Sequence, residues 1–296
     1  MSARADVLVQ VPQLAAAIQR EGIAAQGDSR FVLFDVRWRL GESPGAGAQR
    51  YAAGHLPSAR FLDLERVLTR HTGDPRDGRH PLPDPAALVA ALGELGVGSR
   101  SQIVVYDEAG SFAAARAWWV LRWAGLRVRV LDGGVDAWTA AGLPLTTEPA
   151  APIRPVDPAP AGSSAATLPT VDIDGAAESA RDGLLVDVRA AERFRGEVEP
   201  LDPVAGHIPG AVNLPVAQLF AVDGTLPPEP ELRAILAPVL AVVAEGRPVA
   251  VSCGSGVSAA HAVLALATLG VTVALYPGSW SAWCNTPGRA VAIGAS

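Results

Sequence analysis

The stretch Pro248-Val-Ala-Val-Ser-Cys253-Gly-Ser-Gly-Val-Ser258 decides how this chain is read. Residues 248–253 form a short, β-branched apolar run, the pattern of a strand buried on both faces of a parallel sheet. From Val257 to Leu269 the sequence turns Ala/Leu-rich and reads as a helix. A cysteine and two glycines fill the junction between them. Open α/β sheets bind ligands at such junctions, outside the carboxyl ends of their strands.

Working outward from this stretch, the chain repeats itself. Ile103-Val-Val-Tyr-Asp107 lines up with Val249-Ala-Val-Ser-Cys253, and Asp132-Gly-Gly-Val-Asp-Ala-Trp138 with Pro277-Gly-Ser-Trp-Ser-Ala-Trp283. Upstream, Asp35-Val-Arg37 recurs as Asp187-Val-Arg189, and Gly54-His-Leu-Pro57 as Gly206-His-Ile-Pro209. Strands are expected at 31–36, 102–107 and 128–132, and again at 184–188, 248–253 and 271–276. A helix over 113–124 matches the one over 257–269. The fold class is therefore α/β: two tandem domains, each a central, mainly parallel sheet flanked by helices. The first domain is expected over 1–147 and the second over 169–296. The Pro, Ala and Ser of the stretch between them, with no apolar period, give a linker at 148–168.

Composition removes several chemistries. The 296 residues carry a formal charge of -6, and no block of basic residues marks a nucleic-acid surface. Every basic side chain other than histidine is an arginine. Without lysine there is no Schiff base and no phosphate loop ending in Gly-Lys. Two cysteines, Cys253 and Cys284, make neither a disulfide framework nor a zinc site. No apolar run reaches the ~18 to 20 residues of a membrane span, and residues 1–20 lack the layout of a signal peptide. A cytoplasmic protein is expected, without nucleic-acid or membrane partners.

The Cys253 loop carries the chemistry. Gly254 and Gly256 let the backbone take angles that strain other residues, so amide N–H groups can converge on one point. The following helix N-terminus adds its dipole. A cysteine in that cradle, at the mouth of the second domain, is expected to ionise readily and attack as thiolate. The same cradle suits a persulfide anion.

With its repeat and this loop, the chain resembles the rhodanese family, specifically the two-domain 3-mercaptopyruvate and thiosulfate sulfurtransferases. The likeness runs from Asp35 to Trp283. Cys253-Gly-Ser-Gly-Val-Ser258 is similar to the mercaptopyruvate loop, with Ser258 where the family has Thr. The thiosulfate version has Arg and Lys where this chain has Gly254 and Ser255. Related phosphatases place an arginine six positions after the cysteine; here that position is Ala259. The resemblance implies an active second domain and an inactive first one, because Asp107 stands where the cysteine would be.

It also implies the rest of the site. Cys253, Ser255, His80 and Glu65 would be catalytic, with Asp63 the alternative acid. Arg193, Gly254, Gly256, Val257 and Ser258 would bind substrate, Arg193 taking the donor carboxylate as a guanidinium fork does. Arg195 is expected to point elsewhere. A second substrate arginine is expected after Glu199-Pro200, where this chain has Leu201. His55 and His207 occur in both copies and read as structural. Trp38, Trp280 and Cys284 read as packing residues.

The implied activity moves sulfane sulfur from 3-mercaptopyruvate, through a Cys253 persulfide, to a thiol such as thioredoxin or to cyanide. Pyruvate is released, and no metal or organic cofactor takes part. A thiosulfate:cyanide sulfurtransferase and a low-turnover sulfur-delivery module remain as alternatives.

Overall fold

The computed structural model describes residues 2–21, 31–98, 100–150 and 168–295. Most of the expected linker, 151–167, lies outside them. The chain forms two compact units. The first contains residues 1–69, 83–167 and 222–225; the second contains 70–82, 168–221 and 226–296.

In the first unit, five parallel strands lie in the order β1-β5-β4-β2-β3. These are β1 (Leu8–Val9), β2 (Phe31–Asp35), β3 (Arg60–Phe61), β4 (Gln102–Tyr106) and β5 (Val128–Leu131). The second unit repeats the pattern with β6 (Leu184–Asp187), β7 (Val212–Asn213), β8 (Val249–Ser252) and β9 (Ala274–Leu275), ordered β7-β6-β8-β9 and again parallel. Thr170 bridges in parallel to Leu275, outside β9, where β1 pairs with β5 in the first unit. Every residue of β8 is buried, as are four of the five in β4. That is why these strands read as apolar runs and not as alternating ones. Helices Ala113–Trp123 and Ser258–Thr268 follow β4 and β8, each buried along most of its length.

The two repeated motifs upstream are held together physically. The Arg189 guanidinium bonds the Asp187 carboxylate two residues back and donates to the carbonyl of Gly206 at 2.7 Å. In the first unit Arg37 does the same to Asp35 and to the carbonyl of Gly54, at 2.6 Å. Asp-Val-Arg and Gly-His-x-Pro therefore recur at one spacing because an arginine of the first caps a carbonyl of the second. Both charges are nearly excluded from water, so losing either partner strands the other. His55 and His207 complete this corner. Each stacks on an aromatic ring, Tyr51 or Phe194, and places Nδ1 on the same residue's carbonyl.

Asp107, at the end of β4, stands where Cys253 follows β8. Its carboxylate accepts the Ala114 amide at 2.8 Å. Burial pushes this carboxyl up to about 7, outweighing its hydrogen bonds to Ala114 and Ser111. The folded chain thus holds the Asp107 proton more tightly than the unfolded one. This stabilisation is complete below the unfolded pKa and lost as pH rises to about 7. Asp107→Asn should therefore melt higher than the parent near pH ~8 and lose most of that advantage near pH ~4, where the parent's carboxyl is protonated in the folded state and about half protonated in the unfolded one. An equal difference in melting temperature at both values would contradict this.

Candidate active site

The second unit builds its site where β8 ends. Cys253 follows directly, and the chain turns into the helix Ser258–Thr268. The amide of Gly256 donates to Cys253 Sγ at 3.1 Å, made possible by a left-handed Gly256 backbone at φ 79°. Gly254 does not share that conformation, contrary to the expectation for both glycines. Its requirement is space: a methyl group there would lie 2.9 Å from Arg79 Nη2 and 3.6 Å from Arg193 Nη1. The sulfur is also not open at a mouth, since Cys253 is only 1% exposed.

The loop's carbonyls are drawn away from the sulfur by the helix Ser279–Cys284. Trp280 N–H donates to the Cys253 carbonyl at 3.0 Å and Ser281 N–H to that of Gly254 at 2.9 Å. With those oxygens tied down, the loop presents the Gly256 amide to the sulfur.

Residues 70–82 cross this loop. Gly78 (φ 84°) is pressed against the Gly278 carbonyl, which a Cβ would meet at 2.8 Å. The Arg79 amide donates to Ser281 Oγ at 3.1 Å. These contacts bring His80 Nδ1 to 2.7 Å from Ser255 Oγ, with both side chains buried. A histidine–hydroxyl pair beside a nucleophile is suited to moving a proton near neutral pH.

Arg193, in the short helix Ala191–Phe194, bonds Glu199 at 2.6 Å through Nη2 and lies 3.6 Å from Asp202. Burial works against the Glu199 anion, but the Arg193 hydrogen bond and charge prevail, and its pKa falls below the ordinary value. For Asp202 burial prevails over the Arg79 and Arg193 charges, and its pKa rises. Arg195 turns outward to Glu197. Val257 is buried at the helix entry and Ser258 begins the helix half-buried.

Glu65 belongs to the first unit, where it accepts the Trp38 indole N–H at 3.0 Å. Asp63 is engaged as the N-cap of the helix Leu64–Val67, accepting the amides of Glu65 and Arg66. Cys284 is half-buried, and burial followed by the Asp202 and Glu199 charges pushes its thiol up to about 11. It stays protonated near neutral pH and is no rival nucleophile.

Two residues escaped the sequence reading. Arg79 is one. Ser279 is the other: fully buried, it holds a left-handed φ of 52°, rare for a side chain that is not glycine. Its repeat partner is Gly134, at φ 59°. The same turn uses glycine in the first unit and tolerates strain in the second. The hydroxyl explains the difference, because Ser279 Oγ accepts the Cys253 amide at 3.1 Å and lies 4.0 Å from Sγ. The Gly134–Ser279 alignment was the available signal.

A model of the rhodanese-like domain matches residues 16–141 and again 173–286. The chain belongs to the rhodanese family. Among curated proteins, this chain is 40% identical to the 3-mercaptopyruvate sulfurtransferase of Escherichia coli, over 86% of this chain and 90% of that one. It is 44% identical, over 99% of both chains, to a Mycobacterium tuberculosis protein, SseB, whose name assigns it to the thiosulfate sulfurtransferases. The crystal structure of Escherichia coli SseA, described with the mechanism of the mercaptopyruvate enzymes, aligns with a TM-score of 0.72 at 36% identity, covering 92% of this chain and 98% of that one. The protein is a sulfurtransferase.

If Ser279 is kept for its hydroxyl at a cost in strain, its two smallest substitutions should differ. Ser279→Ala keeps about 1–3 kcal/mol of strain and loses the hydrogen bonds, whereas Ser279→Gly loses only the bonds. Thermal melts should rank Ala below Gly, and both variants should load sulfur on Cys253 more slowly. Equal stability of the two would contradict the strain.

Proposed function

We propose that Cys253 takes the sulfur of 3-mercaptopyruvate and carries it as a persulfide to a thiol acceptor. The observation that carries this reading is the Gly256 N–H directed at Cys253 Sγ, beside the Ser255–His80 pair and two guanidinium groups. A main-chain donor aimed at sulfur stabilises its anion.

The reaction runs in two halves. The Cys253 thiolate attacks the sulfur of the donor, whose carboxylate lies on Arg193. A new S–S bond forms, the donor C–S bond breaks, and its electron pair leaves on carbon as the enolate of pyruvate. Ser255, relayed by His80, supplies the proton that completes pyruvate. Gly254, Gly256, Val257 and Ser258 frame the loop that holds the outer sulfur. In the second half a thiol, such as that of reduced thioredoxin, or cyanide attacks that outer sulfur and restores the Cys253 thiolate. The proposed location is the cytoplasm. The first repeat, with Asp107 at the nucleophile's place, carries no sulfur.

The 44% identity to SseB favours thiosulfate as a second reading of the donor. Both donors are anions with a transferable sulfur, so the same cradle serves either. Steady-state kinetics should give the larger kcat/KM with 3-mercaptopyruvate; a larger value with thiosulfate would move the assignment to the second reading. Intact-protein mass spectrometry after donor treatment should show one added sulfur, lost in Cys253→Ala. Arg193→Ala should raise KM for the carboxylate donor, and an unchanged KM would remove Arg193 from substrate binding.

A further inference from the structure

Two guanidinium groups, not one, face the Cys253 loop. A methyl group built on Gly254 would lie 2.9 Å from Arg79 Nη2, 3.6 Å from Arg193 Nη1 and 3.7 Å from Arg193 Nη2. Both arginines are held from behind by one acidic pair. Arg79 Nη1 bonds Asp202, and Arg193 Nη2 bonds Glu199; both acid side chains are only 3% exposed. A guanidinium has five N–H donors on a rigid plane, so an acid on one nitrogen leaves others to bind. Arg79 spends Nη1 on Asp202 and turns Nη2 to Gly254; Arg193 bonds Glu199 through Nη2 and leaves Nη1 at the same distance from Gly254, within 0.1 Å. The Nε atoms of both are buried without a hydrogen-bond partner among the described residues. Buried donors of this kind cost free energy until something accepts from them.

Arg79 is set there by its surroundings and not by chance rotation of a surface side chain. Its amide is fixed to Ser281, the preceding Gly78 is pinned on Gly278, and the next residue, His80, is on Ser255. Leu201, where a second arginine was expected, is 41% exposed and brings no charge.

We propose that Arg79 is a substrate-binding residue, and that Arg79 and Arg193 together form a two-guanidinium clamp for the carboxylate of an α-keto acid donor. Glu199 and Asp202 hold the clamp open between turnovers and keep both cations in register over Gly254. The fork geometry of paired guanidiniums fits a planar carboxylate better than one point charge would. This inference rests on the reading that Cys253 accepts sulfur from such a donor.

The test compares Asp202→Asn with the charge-balanced double variant Arg79→Ala/Asp202→Asn, so that no buried acid is left without its cation. Persulfide formation on Cys253 and steady-state KM are measured with 3-mercaptopyruvate. Removing Arg79 should raise KM at least about tenfold, the worth of one charge-assisted hydrogen bond, while saturating donor still loads Cys253. Arg79→Lys should recover part of the affinity. A KM equal to that of Asp202→Asn would overturn the proposal, as would a fall in kcat with KM unmoved. If the parent enzyme loads no sulfur from 3-mercaptopyruvate, the donor assignment fails instead. Arg79 is then judged by the same comparison with thiosulfate, where an unchanged KM overturns it.

Discussion

One hydrogen bond, from the main-chain N–H of Gly256 to the sulfur of Cys253, is the constraint around which the second unit is arranged. It forms only because Gly256 takes a left-handed backbone and because the carbonyls of Cys253 and Gly254 are tied to the amides of Trp280 and Ser281. The buried strand β8 fixes where the loop begins, and the helix Ser258–Thr268 fixes where it ends. Ser279 accepts backbone strain so that the Cys253 amide has a partner. Each of these features costs something alone; together they present a donor to the Cys253 sulfur.

The two repeats share a frame and differ in what it carries. Arg37 and Arg189 clamp the same carbonyl in the same way, and Gly134 and Ser279 take the same backbone region. At the end of the central strand one unit has a carboxyl that burial holds near neutrality, the other a thiol under an amide. A frame supported by its own buried ion pair tolerates either group at the end of that strand.

Most of the architecture was legible because its strands are long enough to show a pattern and because the repeat doubled every signal. β2, β4, β6 and β8 fell within a residue of their expected spans. The strands β1, β3 and β7 have two residues each and no apolar run around them to mark them; β9, also of two residues, lies inside the apolar run 271–276 that was read as a strand. Cys253, Ser255, His80 and Arg193 were singled out from the loop and the family resemblance, and the second unit places them around one loop. Arg79 was not readable: its partner Asp202 is 123 positions away, and nothing local distinguishes it from a surface arginine. The membership of 70–82 in the second unit was equally hidden, since a repeat reveals which segments are alike and not where each one packs. Gly254 departs from the expectation because a Gly-x-Gly loop suggests unusual angles at both ends, whereas this glycine leaves room for the Arg79 guanidinium.

The most direct measurement is the single-turnover rate of persulfide formation in Gly256→Ala, followed by mass spectrometry on protein whose fold is verified by circular dichroism. A Cβ at a φ of 79° forces the peptide to rotate and turns its N–H from the sulfur. The account predicts a rate at least about tenfold below the parent's, the loss of one donor to a developing anion. A folded variant that loads sulfur as fast as the parent would show that the amide does not hold the reacting sulfur.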